Sequence, residues 1–461
     1  MTVDEKAATP SGPDGPEKRI PLSFHQEFLC MFDGGDDEGP FGPRYHIVGA
    51  WHLTGELDVP SLQSALDDVV ARHEALRTEI VRDGSAQHQR IVPPAPAALE
   101  VRDLAGTAEA DRERRAEDLL NEVESGTVPI GELPLLRAVV GRFDARDAVL
   151  ALVAHHTAAD AWSMHVIMRD LMAFYAARRD GTAPALPTVP QYQDYARWER
   201  ERAEGAAAAR SRAYWREKLS GAQVHALPTD RARSEKLPKA TAWHRFGVEP
   251  ELGALVGRLA EDTKSSPFMI LLAAYKVQLS RLTGATDIVV PTFSAGRGQE
   301  RFQETVGSFI NFLPLRTDLA GCESFRQVVE RVRRTCLEAY SHEIPFGHVV
   351  AGAPELMVPA MADDGQVSAF QAAIPPFAED GGTAGDVRYS KIWKRVLSQP
   401  VGSDVPDGVL WTLHLDHSGD MAGSLGFNTN RLRPDTMDGL LADYLGVLRT
   451  VVTTPDEKVL L

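Results

Sequence analysis

The stretch AHHTAADAWS, residues 154–163, sets His155 beside His156 and follows them with a carboxylate, Asp160, between an apolar run and an amphipathic segment. Successive side chains of a strand point to opposite faces, so both imidazoles cannot serve one substrate. One is the working residue, His156 or His155; the other is packed or hydrogen-bonded beneath it. Asp160 stands where a helix begins, a place at which a carboxylate caps free N–H groups or binds a cation. Ala158, Ala159 and Ala161 leave room for close approach to the backbone. Ala161 and Ser163 are candidates for backbone support or for lining a passage, and a helix N-terminus supplies donors for a developing oxyanion.

Several chemistries lack their residues. HExxH and HxH spacings are absent near the histidine pair, so no metal is expected. No GxSxG elbow occurs for a serine nucleophile. What remains is a histidine acting directly on an incoming nucleophile, without a covalent enzyme intermediate. The plain alternative is one core histidine and a helix-capping aspartate. Cys30, Cys322 and Cys336 form no CxxC pair and read as structural thiols in a reducing cytoplasm.

The elements that position these residues follow from periodicity. Apolar runs over 47–53, 135–143 and 148–154 read as strands, the last ending in the histidine pair. Stripes at helical spacing cover 59–73, 108–125 and 162–177, and residues 76–81 read as a further strand. DGTAPALPTVP, residues 180–190, carries three prolines and no period, the expected link between lobes. Beyond it, helices are expected over 192–218, 250–263, 267–283, 324–341 and 434–452, and strands over 287–293, 309–316, 368–374, 410–416 and 424–429. This organisation gives a loose tail over 1–19, lobes over 20–180 and 191–461, and a linker over 181–190.

A chain of 461 residues exceeds one ordinary core, so two α/β lobes are expected. Acidic residues outnumber basic ones 65 to 49, a formal net charge of −16, which argues against nucleic acid or an anionic membrane as partner. No apolar run of 18 residues occurs, and the first residues lack the apolar core of a secretory signal. The expected setting is cytoplasmic.

HHTAADAWS resembles the HHxxxDG motif of nonribosomal peptide synthetase condensation domains, within the wider superfamily of chloramphenicol acetyltransferase. Other signatures of that family follow in order. PLSFHQEFLCMF at 21–32 is similar to its opening segment, RHEALRTEI at 72–80 to RHExLRTxF, and YQDYARWE at 192–199 to YxDYAxW. VGSFINFLPLR at 306–316 is similar to GxFVNTLPLR and HEIPF at 342–346 to HQDxPF, while LTGATDIVV, the AGR of 295–297 and GSLGFNTNRL also echo the family. The resemblance runs from residue 20 to about 455.

The resemblance implies two chloramphenicol-acetyltransferase-like lobes in a V-shaped pseudo-dimer with a central tunnel. It implies transfer of an acyl or aminoacyl thioester, delivered on phosphopantetheine by an acyl or peptidyl carrier protein in trans, to a small-molecule alcohol or amine. The product is an ester or amide of a natural product. Relatives that decorate enediyne antibiotics make esters in this way. No bound cofactor and a monomer are expected. His156 matches the catalytic position, and Asp160 matches an aspartate that pairs with an arginine, Arg77 as first candidate and Arg297 as second. Ser308 and Asn311 line the tunnel or satisfy a strand edge. The motif glycine is replaced by Ala161, the Thr of FVNT by Phe312, and the late RDxSRxP segment is scarcely recognisable over 362–376. Two other readings share the motif: an epimerisation domain, whose EGHGRE-like segment is absent here, and a catalytically inactive condensation-like domain that recruits a tailoring enzyme.

Overall fold

The computed structural model describes residues 19–82, 87–373, 381–416 and 419–461. The expected tail lies outside the described residues up to residue 18. The first lobe opens with a short helix α1, Phe24–Cys30, capped by Ser23 and Gln26 in a reciprocal capping box. Strand β1 is His46–Thr54 and helix α2 is Val59–Arg72, with Asp58 capping its first turn. Strands β2, Thr78–Val81, and β3, His88–Ile91, form a ribbon. Strand β4, Ala98–Asp103, and helix α3, Arg112–Glu124, lead to β5, Leu136–Arg142, and β6, Asp147–His155. Helix α4, Ala161–Asp180, closes the lobe on Gly181 at φ 65°.

Strands β1 and β6 pair antiparallel in a register that sets His46 opposite His155. Nearly every residue of β6 is buried because α4 and α2 cover one face of the sheet and α3 the other, each contributing its own apolar cluster. A buried strand of this kind holds its last residue rigidly, which is why the histidine pair can be aimed.

Residues 181–191 carry no regular structure, and the expected helix over 192–218 is two helices, α5 at Tyr192–Ala203 and α6 at Ala206–Lys218, broken at Gly205. The second lobe continues with β7, Thr241–Gly247, α7, Pro250–Asp262, α8, Pro267–Thr283, β8, Asp287–Ser294, β9, Asn311–Asp318, α9, Phe325–Ser341, and α10, Phe346–Gly352. Then follow β10, Ser368–Ala373, β11, Gly381–Ala384, β12, Val387–Lys391, β13, Val409–Leu415, β14, Met421–Asn428, and α11, Pro434–Thr453. Its sheet runs β10-β13-β14-β7, with β8 and β9 as a separate antiparallel pair. Helix α8 is buried along most of its length as the axis of this lobe.

One segment crosses between the lobes. Strands β11 and β12 fall within the stretch expected to form the second lobe, yet they extend the first sheet to the order β11-β12-β1-β6-β5-β4. Trp51 to Thr54 of β1 pair with Lys391 to Arg388 of β12. The returning chain is then fastened by Glu124 of α3, whose carboxylate meets Arg245 of β7 at 2.7 Å, Arg395 at 2.8 Å and Ser403 at 2.9 Å. Burial alone would raise this carboxyl, but the two guanidinium groups bring it down to about 2.

Candidate functional site

The pair at the end of β6 divides as alternation requires. His155 is fully buried, and both of its nitrogens are engaged. Nδ1 lies 2.8 Å from Thr157 Oγ1 and accepts from the Thr157 N–H at 3.3 Å, so Nε2 carries the proton toward Gly42 O at 3.2 Å. Burial takes its pKa down to about 3, and the ring is neutral and locked. His155 is therefore the packed and hydrogen-bonded member of the pair.

His156 remains partly accessible. Its ring stacks on Tyr45 with centroids 5.1 Å apart and planes 23° from parallel, and its backbone N–H donates to Tyr45 O at 2.8 Å. Nδ1 is shielded from solvent and has no hydrogen-bond partner among the described residues. Burial lowers the pKa below the usual histidine value, while Asp160 opposes the shift. A neutral imidazole with one free nitrogen is the form a general base needs.

Asp160 does not touch His156; it fastens the loop that carries it. As N-cap of α4 it accepts from Ser163 N at 2.7 Å and from Arg297 Nη2 at 3.0 and 3.2 Å, and Phe309 N donates to it at 3.1 Å. The runner-up arginine is therefore the partner. Arg297 also donates to Ser163 Oγ at 2.8 Å and to the carbonyls of Phe302 and Thr305, with its guanidinium 4.0 Å over the Phe309 ring. Arg77, the first candidate, is not at the site: it ties Val70 O and Val92 O together, holding the end of α2 to the ribbon behind it. The resemblance put Arg77 first, within the same lobe as Asp160, whereas the observed pair bridges the two lobes.

Two glycines permit this bridge. Gly296 takes φ 64°, and a Cβ there would stand 2.1 Å from Phe309 O. A Cβ on Gly307 would strike the Tyr192 ring at 2.1 Å. Ser163 Oγ completes the joint by donating to Gly307 O at 2.8 Å and accepting from Gly307 N at 3.1 Å.

The remaining candidates separate clearly. Ala161 is exposed at the first turn of α4, and its methyl group is open to solvent. The Asn311 amide is occupied elsewhere: it donates to Glu343 and Ile344 O and accepts from Phe346 N, fixing the turn before α10. Ser308 is fully buried with its hydroxyl unpartnered among the described residues. Phe312 packs against Phe28 of α1, Phe293 and Phe346, at centroid distances of 5.4, 4.5 and 5.5 Å, so the exchange for threonine joins α1 to the second lobe.

One residue was missed. His25, within the opening PLSFHQEFLCMF segment, lies close enough to His156 and Asp160 to feel both electrostatically, and burial holds it neutral with a pKa of about 3. The signal was present as the Ser23–Gln26 capping box, which places His25 in the first turn of α1.

Residues 17–355 match the condensation-domain family. A linear gramicidin synthase of Brevibacillus parabrevis is 34% identical over 95% of this chain, which spans only 6% of that relative's length. The crystal structure of SgcC5 from Streptomyces globisporus, in complex with (R)-(-)-1-(2-naphthyl)-1,2-ethanediol and sucrose, is 59% identical with a TM-score of 0.92, covering 95% of this chain and 100% of that one. The X-domain solved in complex with OxyB from teicoplanin biosynthesis is 26% identical at a TM-score of 0.73, over 99% and 98% of the two chains.

Proposed function

The chain belongs to the condensation-domain family, with its two-lobed chloramphenicol-acetyltransferase-like fold, and from that premise we propose that it transfers an acyl or aminoacyl group from a carrier-bound phosphopantetheine thioester to an alcohol or amine. The observation that carries this reading is the state of His156: a neutral, partly accessible imidazole on a loop fastened by the buried Asp160–Arg297 pair.

In the proposed step, Nε2 of His156 accepts the proton of the acceptor O–H or N–H as that atom attacks the thioester carbonyl carbon. Collapse of the tetrahedral adduct breaks the C–S bond, and the departing thiolate takes the proton. The products are an ester or amide and the free pantetheine thiol. Such proton transfer contributes about 10²- to 10⁴-fold in rate, and placing two substrates against one ring contributes at least comparably. The ethanediol in the SgcC5 complex supports an alcohol with a neighbouring hydroxyl as acceptor, and hence an ester product.

The test is to incubate the protein with an acylated carrier protein and a panel of diols and amines and to weigh the products. An ester or amide formed by the wild type and lost in His156→Ala supports the reading; turnover retained in that variant overturns the base assignment. Likeness to the X-domain supports a second reading, recruitment of a tailoring enzyme. Under it no panel member yields product, and a partner oxygenase binds instead.

A further inference from the structure

We propose that His25 is a positioning residue for the acceptor: its imidazole holds a polar atom adjacent to the one that attacks, making the site selective for acceptors with two neighbouring polar groups. This rests on the reading of His156 given above.

Helix α1 is held to the same frame as the histidine loop. Ser23 Oγ lies 2.9 Å from Tyr192 OH, and that hydroxyl donates to Ser308 O at 2.5 Å. The neighbouring Phe309 N–H is a ligand of Asp160. The segment that steadies the His156 loop therefore also steadies the helix that bears His25.

Nε2 of His25 is shielded from solvent and has no partner among the described residues. Buried polar atoms in native structures are almost always satisfied, by protein, by water or by a ligand, so an orphan beside a reacting group marks a place for a missing partner. The ring is neutral, which keeps one donor and one acceptor and adds no charge to repel a protonated His156. No hydrogen bond joins the two rings among the described residues, so His25 does not relay the proton of His156. A substrate bearing two polar atoms satisfies both rings at once: one atom gives its proton to His156, and the other meets His25.

The test compares 1-phenyl-1,2-ethanediol with 2-phenylethanol as acceptors, using an acylated carrier protein as donor, in wild type, His25→Ala and His25→Asn. In His25→Ala the preference for the diol in kcat/KM should fall about 10- to 100-fold, carried by KM for the diol. His25→Asn, which keeps a donor and an acceptor, should recover part of it. An unchanged preference in His25→Ala, or an equal loss of kcat with both acceptors, overturns the proposal. Calorimetric titration with the diol alone separates this failure from failure of the proposed reaction. Even if no acceptor turns over, weaker binding in His25→Ala than in wild type supports the role, and equal or absent binding in both overturns it.

Discussion

Beneath the histidine loop, Asp160 receives bonds from Ser163, Arg297 and Phe309, Ser163 Oγ makes three of its own, and both nitrogens of His155 are occupied. By contrast, His25 Nε2, Ser308 Oγ and His156 Nδ1 are buried without partners among the described residues. A densely bonded polar network holds position even with Arg297 Nε left unpartnered among the described residues, whereas polar atoms kept out of bulk water away from such a network store binding capacity for something not part of the chain. The contrast divides residues suited to holding the site from those suited to meeting substrate, although all of them are polar and most are buried.

The widest break in that comparison comes from substituting on each side. His156→Ala should lower kcat/KM about 10²- to 10⁴-fold with little change in thermal midpoint, measured by product mass and by calorimetric scanning. Arg297→Ala should do the reverse in emphasis. Stranding the Asp160 carboxylate costs about 3 to 5 kcal/mol, read from denaturant midpoints, with activity lost as the loop loosens. If Arg297→Ala were as stable as wild type, the densely bonded region would not be a structural hub.

Acid sharpens the comparison. With its pKa lowered by burial, His156 should give kcat/KM an acid limb centred below the ordinary histidine value of 6.5, and a midpoint above that would contradict its burial. Stability follows its own course. His155 titrates near 3 in the fold against 6.5 when unfolded, so between those values the unfolded chain binds more protons. Its contribution is complete above about pH 6.5 and is lost as pH falls toward 3. Urea midpoints taken between pH 7 and 4 test this. The smallest effect belongs to Arg77→Ala, which removes ties between partly exposed backbone carbonyls: about 1 kcal/mol, with the position of the acid limb unmoved. A shift of that limb would return Arg77 to the site.

Periodicity exposed the strands and helices that are buried along one face, because burial imposes it: β6, α4, α8 and α11 all lie where their apolar residues predicted. It failed where burial is slight or the element is short. Strand β4 is mostly solvent-facing, and its ALEVRD sequence carries no apolar alternation strong enough to read. GGTA and VRYSK look like loop because they form the edge of the first sheet, where pairing with β1 and not side-chain packing decides the conformation. At the site, alternation along β6 was enough to separate the surroundings of His155 from those of His156. The partner of Asp160 was not legible, because an ion pair between lobes depends on how they dock, and residue spacing carries no trace of that.

The pairing of β12 with β1 also constrains how the molecule is made. During synthesis β1 emerges long before the strand that covers its free edge is translated. Until then the nascent first lobe presents a row of unpaired peptide groups beside apolar side chains, the kind of edge on which chains stick to one another. Separating the halves at residues 181–190 would leave that edge uncovered for good, so a first lobe produced alone should aggregate and should be rescued by supplying residues 381–396 as a peptide.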